Sequence, residues 1–224
     1  MKIAIIGTGN VGTALGTAFA RAGHDVTLAA RDVDKTRTIA AEIGASAADS
    51  PAQAARDAEV VILAVPFGAI GDVAGSIAAS SAGKVVVDVT NPLTPDYSGL
   101  ATEGGPSAAE QLADRLGDAR VVKAFNTLFA SLQTSPTAHG VALDAFYATD
   151  DEAAAATLAD LIRSIGFRPI NTGALRMARQ LEALAWLNMS FQLRTGGDWQ
   201  SSFVLVGAPA GLVAEPAAAG AARS

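Results

Sequence analysis

The chain contains no cysteine, so it can build neither a disulfide framework nor a thiolate metal site, and it has no cysteine nucleophile. Histidine is nearly as scarce, with 2 residues. His24 falls in a helix-to-strand turn at the far end of the expected sheet and His139 in a loop outside every motif, so both read as solvated rather than catalytic. The acidic run Asp150, Asp151 and Glu152 has no histidine at ligand spacing. It is more simply a helix N-terminus, where negative charge is favoured, and no bound metal is expected. Long apolar runs are also missing. The longest, around residues 60–65, falls well short of the roughly 20 residues that span a bilayer, so no membrane partner is expected. The first residues run directly into a glycine loop, without the apolar stretch and cleavage site of a signal peptide, and a cytoplasmic location is expected. A net charge of -6 opposes a nucleic-acid surface.

What is present is apolar and periodic. With 50% hydrophobic residues in 224, the chain can bury one full core and a small appended lobe. Residues 2–6 read as a buried strand, 10–22 as a helix with Val11, Leu15, Ala18 and Phe19 on one side, and 26–29 as a second strand. A helix over 34–43 ends at Gly44, and Ser50-Pro51 has the chemistry of a helix start. Strands over 59–65 and 85–89 are nearly continuous apolar runs, as expected where both faces are covered. Between them a helix is expected over 67–79. Ser107 and Glu110 suggest a capping box for a helix through Leu116, followed by a strand over 121–125.

Beyond residue 130 the pattern predicts a strand over 145–148, a helix over 151–165, a strand over 167–171 and a long helix over 174–194. Residues 184–187 of that helix are apolar all round, which points to burial in the core or in a homodimer contact, with Trp186 as its anchor. The fold class is therefore α/β, a Rossmann-type doubly wound, mostly parallel sheet with a small C-terminal helical lobe. Residues 1–130 are expected to form the dinucleotide domain, 131–207 the lobe that completes the acceptor pocket, and 208–224 a flexible tail.

Gly7, Thr8, Gly9, Asn10, Val11 and Gly12 fit G-x-G-x-x-G between a strand and a helix, the context that makes the motif meaningful. Gly7 permits the tight turn, Gly9 the approach of a pyrophosphate, and Gly12 close helix-strand packing. After the second strand an acid would bind the ribose 2′-hydroxyl of NAD. Here stands Arg31, which can fork onto the 2′-phosphate of NADP, with Thr8 and Lys35 near enough to assist. Asp32 is either a helix cap or the acid of an NAD site.

These residues, with Val65-Pro66, Asn91-Pro92-Leu93 and the string from Val122 to Thr127 that reads Val-Lys-Ala-Phe-Asn-Thr, resemble the deazaflavin-dependent NADP oxidoreductase family over residues 1–206. The Lys-Ala-Phe-Asn-Thr string is also similar to the oxidoreductase domain of the Steap metalloreductases, which use NADPH and a flavin. The resemblance implies hydride transfer between NADP(H) and coenzyme F-420, an 8-hydroxy-5-deazaflavin, with Thr8, Arg31 and Lys35 on the 2′-phosphate.

In such a sheet, ligands lie beyond the carboxyl ends of the strands. The expected nicotinamide and acceptor pocket therefore comprises Pro66, Phe67, Asn91, Pro92, Leu93, Asn126, Thr127 and Leu128, apolar and amide-bearing groups suited to a water-poor hydride transfer. No general acid stands out among them, so the expected mechanism rests on ring positioning. Two other functions fit the same residues, reduction of a flavin or other small acceptor and a non-catalytic NADP(H)-sensing module.

Overall fold

A computed structural model describes residues 1–209 and 211–213. The chain begins with β1 (Lys2–Ile6), α1 (Asn10–Arg21), β2 (Asp25–Ala29), α2 (Val33–Ile43), β3 (Ser46–Ala47), α3 (Pro51–Asp57), β4 (Val60–Leu63), α4 (Ile70–Ser81) and β5 (Val85–Asp88). It continues with α5 (Ala108–Leu116), β6 (Arg120–Ala124), β7 (Thr137–Ala138), β8 (Val141–Ala142), β9 (Asp144–Ala148), α6 (Glu152–Ser164), β10 (Arg168–Asn171) and α7 (Ala178–Thr195).

Eight strands form one sheet in the order β10-β9-β6-β5-β4-β1-β2-β3. From β3 to β6 all neighbours are parallel, and their order is that of the doubly wound dinucleotide fold, which reverses between β1 and β4. All four residues of β4 and of β5 are buried, as the apolar sequence of β4 and the three valines of β5 require of strands covered on both faces, and Asp88 at the end of β5 is buried with them. On one face α1 and α6 supply Leu15, Phe19, Leu158 and Ile162 to the larger core cluster. On the other, α3, α4 and α5 supply Ala54, Ala74, Ile77 and Leu112.

The expected lobe is continuous with this sheet. Strand β9 pairs antiparallel to β6 through Lys123↔Ala148 and Ala124↔Tyr147, and β10 pairs parallel to β9. Residues on both sides of position 130 share one core cluster. Two expected helices are shorter than their apolar pattern. Phe67–Ala69 and Leu175–Met177 are 3-10 turns that lead into α4 and α7. At the second, the Leu175 amide donates to the Asp150 carboxylate at 3.0 Å, a side-chain partner in place of a helical one.

The polypeptide after α7 is fastened at several points. The Trp199 amide donates to Gln192 Oε1 (2.9 Å), the Leu205 amide to Asp144 Oδ2 (2.7 Å), and Arg168 Nη2 to the Leu205 carbonyl (2.7 Å). Of the expected tail, Leu212 and Val213 pair with Asn171 and Ile170. Residues 210 and 214–224 lie outside the described residues, and the expected flexibility there with them. Among the described residues no helix is long and apolar enough to cross a membrane, and no group of His, Asp or Glu is arranged to hold a metal ion.

Candidate active site

The glycine turn is built as its spacing implies. Gly7 has φ +113°, and a Cβ there would lie 2.2 Å from the Ala64 carbonyl oxygen. A Cβ on Gly12 would lie 2.0 Å from the Gly7 carbonyl oxygen and 3.2 Å from the Ala64 Cβ, so helix and strand meet with no room for a side chain. Gly9 is different. A Cβ there would meet nothing within 4 Å, because the position faces open space. Gly9 is also the N-cap of α1 and supplies no side-chain cap, whereas Asp32, Ser50, Ser107 and Asp151 cap α2, α3, α5 and α6. The first amides of α1 are thereby left for an anion.

Beside this turn a groove of about 530 Å³ is lined by Thr8, Gly9, Arg31, Asp32, Lys35, Val65 and Pro66, among others. A second hollow across the turn includes Asn10, Thr13, Lys35 and Ser131. The Arg31 and Lys35 side chains are exposed, and neither makes a hydrogen bond or ion pair with a described residue. Asp32, by contrast, accepts from the Lys35 amide at 3.0 Å, so its carboxylate is engaged as the cap of α2 while still bordering the groove.

At the ends of β5 and β6 two amide side chains clasp each other. Asn126 Nδ2 donates to Asn91 Oδ1 (3.0 Å) and to the Leu181 carbonyl of α7 (3.0 Å), and Asn91 Nδ2 donates to the Asn126 carbonyl (3.0 Å). Phe125, just before, is a buried residue with φ +60°, a left-handed conformation that costs a non-glycine residue about 1 kcal/mol or more. Gln133 holds it there by donating to the carbonyls of Phe125 and Leu128, both at 3.0 Å. Asn126 Oδ1 and Thr127 Oγ1 are buried with no partner among the described residues. Such orphaned polar atoms cost about 1–3 kcal/mol each unless a ligand or water engages them.

The other expected pocket residues spread out from this couple. Pro66 is exposed on the groove, Phe67 packs partly into the core cluster under α4, and Pro92 is buried. Leu93 bridges to Leu100, and Leu128 belongs to the core beneath, with Leu15 and Phe19. Neither histidine lines the groove or the hollow beside the glycine turn. His24 Nε2 lies 2.8 Å from Ser164 Oγ, whose own hydrogen goes to the Leu161 carbonyl, and Nδ1 lies 3.4 Å from the N-terminal ammonium. Burial first, and that ammonium second, push the imidazole pKa down.

Sequence reasoning missed a buried triad behind the amide couple. Lys123, fully inaccessible, donates to Asp88 Oδ2 (2.8 Å), the Thr90 carbonyl (2.6 Å) and Glu182 Oε1 (2.9 Å). Burial raises the Glu182 pKa against the opposing pull of Lys123. The available signal was a lysine inside an otherwise apolar strand, Val-Val-Lys-Ala-Phe.

A profile of the family described as "NADP oxidoreductase coenzyme F420-dependent" matches residues 2–92. The F420-dependent NADP reductase of Methanothermobacter marburgensis is 34% identical over 217 residues, covering 88% of this chain and 96% of that protein. The metalloreductase STEAP3 of Rattus norvegicus is 29% identical over 82% of this chain but only 36% of its own length. A crystal structure from Arthrobacter sp. FB24, provisionally described as an F420-dependent NADP reductase, superposes with a TM-score of 0.83 at 31% identity, covering 92% of this chain and 99% of that one. On this near full-length similarity, the chain belongs to the F420-dependent NADP reductase family.

Proposed function

We propose that this protein transfers a hydride between NADPH and a deazaflavin coenzyme of the F420 type. The observation that carries the dinucleotide half of the reading is the glycine turn, with its uncapped helix start and two unpaired cations on one groove. The near full-length relatives carry the acceptor half. Gly7, Thr8, Gly9, Asn10, Val11 and Gly12 receive the pyrophosphate, and Arg31, Lys35 and Thr8 hold the 2′-phosphate. The clasped Asn91 and Asn126 form the polar wall of the nicotinamide and acceptor pocket, with Thr127 beside them. Pro66, Phe67, Pro92 and Leu93 supply its apolar wall, and Leu128 supports it from the core.

When bound, the two cofactors supply the donor and acceptor carbons of the hydride step. The protein's share is proximity and exclusion of water, since the expected pocket residues include no ionisable side chain. Residues 1–130 act as the dinucleotide domain and 131–207 complete the acceptor side. The long helix α7 forms a homodimer contact, and the protein works in the cytoplasm as a user of NADPH.

The deciding experiment follows NADPH oxidation with a deazaflavin, a flavin and carbonyl compounds as acceptors. Turnover with the deazaflavin is expected. Turnover confined to flavin, or stoichiometric NADPH binding without turnover, would overturn the assignment.

A further inference from the structure

The charged triad of Lys123, Asp88 and Glu182 is poorly explained as a source of stability. All three side chains are 0–1% exposed, and taking charges out of water costs several kcal/mol per ion even after relaxation. Apolar residues of similar volume commonly serve a core as well or better. The arrangement is also unbalanced, with two carboxylates on one ammonium, and burial followed in part by the Asp88 charge raises the Glu182 pKa.

What the triad does achieve is connection. The three donors of the Lys123 ammonium are all used, one to each of three places. Asp88 Oδ2 ends β5, the Thr90 carbonyl directly precedes Asn91, and Glu182 directly follows Leu181, whose carbonyl receives Asn126. Asp88 reinforces the first two links, because its Oδ1 accepts from both the amide (2.9 Å) and the hydroxyl (2.7 Å) of Thr90. Glu182 reinforces the third. Its Oε1 also takes the Ala108 amide at the start of α5 (2.9 Å), and its Oε2 the Thr102 hydroxyl (3.4 Å). Each end of the amide clasp therefore sits one to three residues from a member of the triad.

We propose that Lys123 and Glu182 are positioning residues, a buried brace that fixes the distance between α7 and the strand-end turns bearing Asn91 and Asn126. The brace rests on the assignment of those two amides to the nicotinamide side of the pocket. It touches neither cofactor. Its effect is to keep the clasp in one geometry, and a displacement of about 1 Å in a hydride-transfer site costs on the order of 100-fold in rate.

The test compares Glu182→Ala, which cuts the link to α7 while leaving the Lys123–Asp88 pair, with Glu182→Gln, which keeps an acceptor oxygen but not the charge. Turnover with a deazaflavin is measured per NADPH-binding site, so that loss of folded protein does not count as loss of rate. Glu182→Ala is expected to lower that turnover on the order of 100-fold, with NADPH affinity unchanged within about threefold, because none of Thr8, Arg31 and Lys35, which are assigned to the phosphate, is a hydrogen-bond partner of the triad. A primary isotope effect from NADPH deuterated at the transferred position is expected to rise with it. Glu182→Gln is expected to restore both. If Glu182→Ala does not bind NADPH stoichiometrically, Glu182→Met fills the volume without an acceptor and takes its place.

Turnover per site within about threefold of the parent, or a Gln variant as impaired as the Ala variant, overturns the brace. The emission of bound NADPH reads the nicotinamide environment without any acceptor, and it is expected to shift in the Ala variant and return in the Gln variant. Failure of the unmutated protein to reduce the deazaflavin would sink the functional assignment and leave this second readout to decide the brace.

Discussion

The proposed choice of dinucleotide rests on Arg31. Its guanidinium stands exposed on the groove with no partner among the described residues, so its hydrogen-bonding capacity is available to a 2′-phosphate. A charge-assisted bond of about 1.5–3 kcal/mol corresponds to roughly 10- to 150-fold in affinity. Arg31→Ala is therefore expected to remove most of the preference for NADPH over NADH, as titration of each dinucleotide would show. Equal affinities in the unmutated protein would refute the assignment. Gly12→Ala makes a harsher test, since its methyl group would sit 2.0 Å from a carbonyl oxygen. It should abolish dinucleotide binding or unfold the turn. Replacement of His24 or His139 by alanine should leave turnover nearly intact, and a loss of about 100-fold with NADPH binding preserved would require a general acid instead.

At this scale the sequence was informative where a motif fixes the backbone, as at Gly7 and Gly12, whose close approaches follow from their spacing. At Lys123 it marked an unusual lysine in an apolar strand but not its partners, because residue type alone does not reveal that the side chain points inward to two carboxylates far along the chain.

Among the elements, α5 and α7 are joined by one well-defined ion pair. Glu110 closes the capping box of α5 and receives Arg179 of α7 through two hydrogen bonds of 2.8 and 2.7 Å. The Arg179 bonds are the largest influence on Glu110; burial opposes them, the Ser107 bonds and the Arg179 charge add smaller downward pulls, and the pKa falls from its usual 4.5 to about 2. A carboxylate with a depressed folded-state pKa stabilises the fold above its unfolded value, and that contribution disappears as pH falls through the folded one. The melting temperature should accordingly drop between about pH 4.5 and 2, and Glu110→Gln should flatten that drop while lowering stability at neutral pH. Arg179 is half exposed, so added salt should shrink the difference.

Element types were readable from apolar periodicity, including the capping box at Ser107. Strand partnership was not. Nothing local in residues 144–148 tells that β9 runs antiparallel against β6, because pairing is set by contacts distant in sequence. The two-residue strands β3, β7 and β8 are too short to leave a period.

For the whole molecule, α7 presents a face left exposed among the described residues. Leu187 and Phe191, one turn apart, are 44% and 39% exposed, and Trp186 beside them is half-buried. Of the all-round apolar stretch expected to be buried on more than one side, the described residues fully enclose Ala185 alone. A homodimer would account for the remainder. Sedimentation at micromolar concentration is expected to give twice the 22.5 kDa chain mass, and Leu187→Glu is expected to give single chains. A monomeric parent would rule the contact out.

The polypeptide after α7 has a consequence that calorimetry can read. Trp199, Ser201 and Leu205 are each held by side chains from α7, β9 or β10, and the Trp199 carbonyl accepts from Ser131, next to the hollow by the glycine turn. The ordering of residues 199–205 is thus completed during folding and is not left for the ligand to bring about. The heat-capacity change on NADPH binding should then match the surface of the dinucleotide and its groove alone. It should lack the excess negative component that accompanies burial of roughly 1,000–3,000 Å² when a segment orders on its ligand. Titrations at several temperatures that gave such an excess would mean that this part of the chain folds anew at each binding event.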